Sequence, residues 1–469
     1  MSLISSQARF VDATQGQSWQ GSALAERIAT VAQELQTMPP GLILLPVPWT
    51  VDTVCRYLAG LSQRRALALL DPDIDPATVA ELAARFAPAG LWFPDTALPA
   101  PPGYRNTACG WIRQSPAAAV HPDLALLLTT SGSTGAARMV RLGYQGVLAN
   151  ADAIVQALEI TAQDIALTSL PFHLGYGLSV LNSHLRAGAT VVISAAPVIG
   201  AEFWAAFERY GATSFAAVSH TYDLLTRLHW TPASHPTLHT LTQSGSRMRP
   251  ELVAQLATAL PVGGRFLQMY GQTEATARMV VLPAAQWSRK AGAVGLAIPG
   301  GRLSIRTETG EETTGAQTVG EVIFRGPSVM LGYADHDTDL ARGDDCHGVL
   351  HTGDVGRFDE EGYLYLEGRL KRMAKLFGLR INLDAVERLA CDAGAEGVAA
   401  VSRNDEAIVL WCEGAHADLE HLSRTVAERL RVNHRGVEAR TIEKLPLLRN
   451  GKIDYRTLTR NADNGVAKS

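Results

Sequence analysis

The sequence has few cysteines, and they show no pattern of pairing. Its 469 residues include five cysteines, none of them in a Cys-X-X-Cys motif, at positions 55, 109, 346, 391 and 412. An odd, scattered set argues against a disulfide framework and against a structural zinc site, and it is typical of a reducing compartment. We therefore predict a cytoplasmic protein.

Long apolar runs and an excess of one charge are also missing. The uncharged run at residues 187–201 is short for a membrane span and contains Ser194 and Pro197, so it predicts a buried strand followed by a turn. The first residues do not combine a basic segment with an apolar one, and we expect no signal peptide. The net charge of -4 indicates no nucleic-acid partner.

Two common nucleotide-binding fingerprints are absent as well. The chain contains no GxxxxGK[ST] phosphate loop and no GxGxxG sequence after a predicted strand. The first absence argues against a P-loop enzyme. The second weakens the case for an oxidoreductase with a nicotinamide or flavin cofactor, although the helix and strand pattern would suit one.

The composition and the hydrophobic pattern predict an α/β protein of several domains. The chain is 46% hydrophobic and 19% charged, and its length suggests two to four folding units. Short apolar strands alternate with amphipathic helices, which implies parallel strands with right-handed crossovers. We predict strands at 42–46, 66–70, 90–93, 189–193 and 213–217, and helices at 51–63, 78–86, 203–210 and 251–259.

The pattern changes after about residue 290. Short strands at 302–306, 320–325 and 362–366, separated by glycine-rich turns, indicate a small β-rich subdomain. A basic segment at 368–380 precedes a compact α+β stretch with helices at 383–392 and 417–430. We therefore predict an N-terminal domain at 1–367, a hinge at 368–371 and a C-terminal domain at 372–469.

A loop rich in hydroxyl groups follows an apolar strand predicted at 124–128. Its glycines allow the backbone to turn its N–H groups inward as an anion nest, and Arg138 adds a positive charge. The loop therefore suits a polyphosphate, although an ordinary polar loop is the alternative. We predict phosphate contacts from Arg138 and from Thr130, Ser131, Gly132, Ser133, Thr134 and Gly135.

This segment resembles the phosphate loop of the adenylate-forming (AMP-binding) superfamily, which includes acyl- and aryl-CoA ligases, peptide-synthetase adenylation domains and luciferases. The family pattern is [ST]SG[ST]TGxxK, and Arg138 stands where a lysine is usual. The resemblance covers roughly residues 25–460. It implies a large N-terminal domain of two parallel-sheet α/β subdomains plus a small β-barrel-like subdomain, and a small mobile α+β C-terminal domain.

Two further segments resemble the family's acid-binding motifs. In LPFHLGYG at 170–177, His173 would contact the substrate carboxylate or pyrophosphate, although a lone histidine is more often structural. QSGSRMR at 243–249 is a weak match to the loop that packs on adenine, where Gly245 would permit close approach of the backbone. The acid pocket is predicted to include Phe172, Tyr176, Ser219 and His220.

The segment MYGQTE at 269–274 is a strong match to the family. The resemblance implies that Tyr270 stacks on the purine, that Thr273 bonds the α-phosphate and that Glu274 holds Mg²⁺. Gly271 and Gln272 belong to the same nucleotide-binding segment.

The motifs of the C-terminal part follow in family order. HTGD at 351–354 implies that Asp354 accepts hydrogen bonds from the ribose hydroxyls, although a turn aspartate is the alternative. In GRLKRMAKLFGLR, which could also be a basic surface, the resemblance assigns Arg369 to ribose or phosphate and Lys371 to the pivot. Lys375 and Arg380 are predicted to contact the nucleotide or the thiol.

PLLRNGKIDY at 446–455 resembles the family's C-terminal lysine motif. An Arg-Asn-Gly turn would present Lys452 at a loop tip, where the family's lysine bridges the substrate carboxylate and the α-phosphate. An ordinary surface lysine is the alternative for this residue type.

Taken together, the motifs predict an acid–thiol ligase. The chain would activate a small carboxylic acid with ATP and Mg²⁺ to an acyl adenylate, and transfer the acyl group to coenzyme A or to the phosphopantetheine of a stand-alone carrier protein. The 170–188 segment lacks the aspartate that amino-acid-activating domains use, which disfavours an α-amino acid. A catalytically degenerate, nucleotide-binding regulatory homologue is the alternative.

Overall fold

The computed structural model describes most of the chain. The described residues are 3–94, 98–129, 138–377, 379–404, 406–414, 418–448 and 453–463. The predicted phosphate loop at 130–135 and the predicted catalytic lysine, Lys452, lie outside them. The side chains of Lys375 and Arg380 also lie outside the described part, although the backbone of both residues belongs to it.

The chain forms two compact units. Within the described residues, the first unit comprises residues up to 129, residues 138–303 and residues 324–350. The second comprises residues 304–323 and the residues from 351 onward. The predicted domains 1–367 and 372–469, with the hinge 368–371, remain predictions.

A nine-stranded sheet forms one half of the first unit. Its centre is parallel, as the alternation of strands and helices predicted, but its edges are antiparallel, so the sheet is mixed. The strand at 190–193 lies within the uncharged run 187–201, which confirms the buried strand predicted there. In order across the sheet the strands are Leu296–Ala297, Val280–Val281, Arg265–Tyr270, Thr240–Gln243, Ser214–Ala217, Ile165–Leu167, Thr190–Ile193, Arg9–Asp12 and Ser18–Gln20.

An eight-stranded sheet forms the other half of the first unit. It is also mixed, because antiparallel strands flank its four parallel central strands. Nearly every residue of these central strands is buried, as expected for strands covered on both faces. The strands in order are Gly332–Ala334, Met139–Gly143, Leu124–Thr129, Leu67–Leu70, Ile43–Pro46, Gly90–Trp92, Gly110–Arg113 and Tyr104–Thr107.

Two helices of the first unit begin at residues whose side chains cap them. Asp75 accepts a hydrogen bond from the Thr78 amide, and Pro76 occupies the first turn, so that helix starts two residues before the predicted Thr78. Thr50 caps the next helix upstream in the same way. The helices are Gly21–Glu34, Val51–Ser62, Pro76–Phe86, Tyr144–Leu158, Gly175–Ala187, Ala201–Arg209, Ser219–Arg227 and Pro250–Thr258.

A five-stranded sheet corresponds to the predicted β-rich subdomain. Its strands in order are Glu312–Thr313, Arg302–Arg306, Gly320–Arg325, Val349–Phe358 and Leu364–Arg369. The last strand was predicted at 362–366 and runs further toward the chain's basic segment. A two-stranded ribbon, Met373–Leu376 and Leu379–Asn382, follows.

The remainder of the second unit has the α+β character that the sequence predicted. Three strands, Val398–Arg403, Ala407–Glu413 and Val437–Ile442, form a sheet that combines antiparallel and parallel pairing. Helices Leu383–Asp392, Leu419–Leu430 and Tyr455–Asp463 complete it. Among the residues described, the structure contains no helix that is both long and apolar enough to cross a membrane.

Candidate active site

The predicted purine and metal motif occupies a tight turn at the carboxyl end of the strand Arg265–Tyr270. In open α/β sheets ligands bind at the carboxyl ends of the strands. A single turn of 3₁₀ helix, Thr273–Ala275, follows that strand. A β-carbon added to Gly271 would lie 1.6 Å from the Ala277 carbonyl oxygen, so only glycine allows the chain to fold back here.

Glu274, the predicted Mg²⁺ ligand, is held by a tyrosine that the sequence motifs did not reveal. The Tyr333 hydroxyl donates a hydrogen bond of 2.9 Å to Oε1 of Glu274. Burial and the Glu274 carboxylate raise the pKa of Tyr333, so the phenol keeps the proton that it donates. Oε2 of Glu274 makes no hydrogen bond to the described residues, and its lone pairs are available to a cation.

Arg138, the departure from the family pattern, contacts the same tyrosine. Its guanidinium lies 4.5 Å from the centre of the Tyr333 ring, and its Nη2 lies 3.2 Å from the Asp335 carboxylate. A planar guanidinium can stack and pair at once, which a lysine ammonium cannot do as well. The structure therefore links Arg138 to Glu274 through the Tyr333 side chain.

We predict that Tyr333→Phe weakens adenylation without unfolding the protein. The substitution removes one hydrogen bond to a carboxylate, worth about 1.5 to 3 kcal/mol, and keeps the ring that stacks on Arg138. The expected result is a loss of about 10-fold or more in the rate of pyrophosphate exchange, together with a higher Mg²⁺ requirement. An unchanged Mg²⁺ dependence would contradict a role for Tyr333 in positioning Glu274.

Tyr270 and Gln272 belong to the same turn. Tyr270 is 9% exposed, and its hydroxyl accepts a hydrogen bond of 3.3 Å from Nε2 of Gln272. The amide thus fixes the position of the ring. Stacking of Tyr270 on a purine remains a prediction.

His173 lies in the loop before the helix Gly175–Ala187. Its Nε2 is 3.8 Å from the Asp71 carboxylate, and its Nδ1 is buried without a hydrogen-bond partner among the described residues. Burial lowers the pKa of His173 more than Asp71 raises it, so the ring is neutral near pH 7. An unpartnered ring nitrogen is suited to a substrate, which keeps the predicted role open.

Burial gives the protein a pH-dependent stability. His173, His184 and His235 all have pKa values lowered by burial, so the unfolded chain binds more protons below about pH 6.5. The free energy of unfolding should therefore be highest above that pH and fall as the pH is lowered. We expect His173→Gln to reduce this slope by up to about 1.4 kcal/mol per pH unit, measured by urea unfolding. A free energy that rises toward low pH would contradict this.

The weakly matching loop at 243–249 is held by its own polar groups. Gly245 has a φ of +96°, which favours glycine. The Ser246 carbonyl accepts hydrogen bonds from the Gln243 amide at 2.6 Å and from the Ser219 hydroxyl at 3.0 Å. Ser219 therefore fixes this turn, while the neighbouring His220 is exposed.

The residues on either side of the turn that carries Glu274, Met269 and Arg278, line a cavity. Tyr176 lines it, as do Ser179, Thr242 and Arg278. Phe172, Ser219 and His220, the other predicted pocket residues, are described in the structure but do not line this cavity. The sequence motifs did not reveal Arg278, because its neighbours suggest an ordinary apolar strand.

In the second unit, Asp354 and Arg369 face each other across neighbouring strands. They are direct partners in the antiparallel pairing, and Arg369 Nε lies 3.0 Å from Asp354 Oδ1. The Asp354 side chain is 7% exposed, whereas that of Arg369 is 60% exposed. The structure therefore brings together two residues that the resemblance assigns to ribose and phosphate.

The basic segment after Arg369 divides into anchored and exposed residues. Arg372 pairs with Asp384 and with Glu387, and its guanidinium lies 3.6 Å from the centre of the Tyr455 ring. Lys371, the predicted pivot, is exposed in the short turn Leu370–Arg372. The backbones of Lys375 and Arg380 pair across the two-stranded ribbon.

The described residues fit a magnesium nucleotide better than a protein-bound metal. No group of three or more His, Cys, Asp or Glu side chains suited to a metal occurs in the described part of the chain. Mg²⁺ commonly takes one or two carboxylates and completes its shell with water and substrate phosphates. Glu274, with one free oxygen, fits this arrangement.

Comparison with known proteins identifies relatives of the chain. Residues 8–334 match the family model described as AMP-binding enzyme. An indoleacetate–CoA ligase from Aromatoleum aromaticum (strain DSM 19018 / LMG 30748 / EbN1) is 30% identical over 440 residues, which cover 88% of this chain and 82% of that enzyme. An oxalate–CoA ligase from Arabidopsis thaliana is 34% identical over 278 residues, 57% of this chain, and the match spans about half of that enzyme, 52%.

Solved structures share the fold over nearly the whole length. The ATP-bound structure of MatB from Rhodopseudomonas palustris superposes with a TM-score of 0.80 at 19% identity, covering 98% of this chain and 96% of that one. Identity this low supports the fold alone. The matched family model, the relatives and the predicted order of motifs agree, and the chain belongs to the family of AMP-binding enzymes.

Proposed function

We propose that the chain activates a small carboxylic acid with ATP and then transfers the acyl group to a thiol. The observation that carries the proposal is the turn at the carboxyl end of the strand Arg265–Tyr270. There Tyr333 positions a glutamate with a free oxygen, and the residues on either side of that turn line a cavity that contains Arg278. The relatives support the same reaction class, because their names are those of CoA ligases.

In the first step a carboxylate oxygen of the acid attacks the α-phosphorus of ATP, and pyrophosphate leaves. Phosphoryl chemistry of this kind depends on positioning and on neutralising negative charge. Glu274 would hold Mg²⁺, which supplies positive charge beside the phosphates. Thr273, Arg138 and Lys452 would donate hydrogen bonds, the last two with a positive charge.

Asp354 and Arg369 would hold the nucleoside. Asp354 offers two carboxylate oxygens to the ribose hydroxyls, and Arg369 holds one of them in position. An exposed guanidinium can also reach a phosphate. Both residues therefore act in orienting the nucleotide.

In the second step the thiol attacks the acyl carbon, and AMP leaves. We propose that the C-terminal domain, residues 372–469, turns about the hinge 368–371 to admit the thiol, as domain closure does in other enzymes. Coenzyme A is the acceptor that the names of the relatives favour. A carrier-protein phosphopantetheine has the same reactive end and is the alternative.

The test is an acid-dependent exchange of labelled pyrophosphate into ATP. A panel of acyl, aryl and dicarboxylic acids is assayed first without a thiol and then with coenzyme A, following acyl-CoA formation. Exchange with at least one acid supports the proposal. ATP binding without exchange for any acid would instead favour the catalytically degenerate homologue.

A further inference from the structure

A narrow cavity lies between the nine-stranded sheet and two of its helices, Tyr144–Leu158 and Gly175–Ala187. Its volume is about 30 Å³, more than one ordered water requires. Space of this size limits an occupant to a short group. Most of the wall is apolar, and the hydroxyl groups among the lining residues are those of Tyr176, Ser179, Ser183, Ser214, Thr240 and Thr242.

Arg278 is the one cation with a fully enclosed side chain among the described residues that line the cavity. It is 2% exposed, and its Nη2 donates a hydrogen bond of 2.9 Å to the Ser179 hydroxyl. The guanidinium also lies 4.5 Å from the centre of the Tyr176 ring. Its Nε has no hydrogen-bond partner, and no carboxylate of the described residues forms an ion pair with it.

An arginine in this situation is costly for a protein to keep. Buried charges are normally paired, because removing an ion from water costs several kcal/mol. Burial lowers the pKa of Arg278, and only the Tyr176 phenol opposes that shift, yet a guanidinium does not lose its proton in proteins. The cavity therefore holds a positive charge whose natural complement is an anion.

The acidic side chain at the other end of the cavity does not serve as that anion. The Asp164 carboxylate also lines the cavity, but it accepts hydrogen bonds from the Thr161 amide at 2.8 Å and from the Thr213 hydroxyl at 3.2 Å. The hydrogen bonds of Asp164 are therefore made to Thr161 and Thr213, not to Arg278. The Asp164 carboxylate contributes nothing to the pKa of Arg278.

The cavity adjoins the turn assigned to the reaction. Arg278 follows Glu274 by four residues. A β-carbon added to Gly175, which begins the helix that lines the cavity, would lie 3.7 Å from the Thr273 hydroxyl and 3.6 Å from the Ala277 β-carbon. The helix that lines the cavity therefore begins beside Thr273, so a short acid that reacts with a phosphate held by Thr273 would point its far end toward the cavity.

The anion that Arg278 holds should be a second group, not the reacting carboxylate. The reacting carboxylate loses its charge as it joins the phosphorus, so an arginine bound to it would favour the ground state over the transition state. A distal carboxylate keeps its charge throughout. We propose, on the basis of the function proposed above, that the acid is a short dicarboxylic acid whose distal carboxylate binds Arg278.

Matched substrates and one substitution test this inference. Pyrophosphate exchange is measured with malonate, succinate and glutarate, with the monocarboxylates of equal length, and with succinamate, which replaces one carboxylate by a neutral amide. We expect kcat/KM for the best dicarboxylate to exceed that for its monocarboxylate by about 100-fold or more. Arg278→Met should abolish this preference, because kcat/KM for the dicarboxylate should fall to that for its monocarboxylate.

Arg265→Met is the matched control, because Arg265 also lines the cavity but already pairs with Glu159. It should retain the preference for the dicarboxylate.

Urea unfolding checks that Arg278→Met folds, and we expect its stability to be equal or higher, since an unpaired buried charge is removed. Two results would overturn this inference but not the proposed function: a wild-type preference for the monocarboxylate, or an equal loss of kcat/KM with both acids in Arg278→Met. Absence of exchange with every acid would overturn the proposed function on which it rests.

Discussion

Replacing Lys452 by alanine is expected to abolish acid-dependent pyrophosphate exchange and to spare the thiolysis of a supplied acyl adenylate. The resemblance places this lysine between the substrate carboxylate and the α-phosphate, where negative charge grows in the transition state. Removing one preorganised donor from such a position costs about 3 kcal/mol or more, which corresponds to a loss of about 10² to 10³ in rate. The second step does not develop that charge, so it should change little.

Lys444→Ala provides the matched control for this experiment. Lys444 is an exposed lysine in the same part of the chain, and its removal should leave both steps intact. The two half-reactions are measured separately, as labelled ATP from pyrophosphate and as AMP release from the acyl adenylate with coenzyme A. Equal losses in both steps for Lys452→Ala would refute the assignment.

Asp354→Ala should raise the KM for ATP by about 10² or more. Two hydrogen bonds from the ribose hydroxyls to a carboxylate are lost, each worth about 1.5 to 3 kcal/mol. The substitution also frees Arg369, but that side chain is 60% exposed and tolerates the loss of its partner in water. Thermal unfolding should therefore change little, while initial rates at increasing ATP concentration reveal the defect.

Glu367→Gln is the matched control for Asp354→Ala. It tests whether the loss of any carboxylate from this sheet raises the KM for ATP, or only the loss of the one that binds the nucleotide. Glu367 lies on the strand paired with that of Asp354, and its carboxylate pairs with Arg357 at 3.0 Å. We expect its KM for ATP to equal that of the wild type. If Glu367→Gln and Asp354→Ala raised KM equally, Asp354 would be a structural residue.

The sequence predicted the helices and strands of this chain well because their signals are local. The apolar run of Ile43–Pro46 and the one-sided helix Val51–Ser62 are both close to their predicted limits. The antiparallel edge strands of both large sheets were harder to predict from the sequence. Short pairings such as Val280–Val281 with Leu296–Ala297 depend on distant partners more than on their own residues.

The residues of the site also fall into two groups, those that a local motif predicts and those that depend on distant parts of the chain. Glu274 and Asp354 stand within continuous motifs, and the chain order of those motifs led to them. Tyr333 is 59 positions from Glu274 in the chain and meets it only because strand Gly332–Ala334 pairs with Met139–Gly143. Arg278 is similar, since its burial depends on a helix that begins about a hundred residues earlier.

The close approach at Gly271 sets limits on how this enzyme could be redesigned. A library that varies acid specificity would naturally randomise the segment from Tyr270 to Arg278. Position 271 must be held as glycine in such a library, because even a methyl group would strike the Ala277 carbonyl. Variation at position 278, in contrast, would change which acids the cavity accepts. Within this one short segment, position 271 is constrained by the backbone, whereas position 278 determines the choice of substrate.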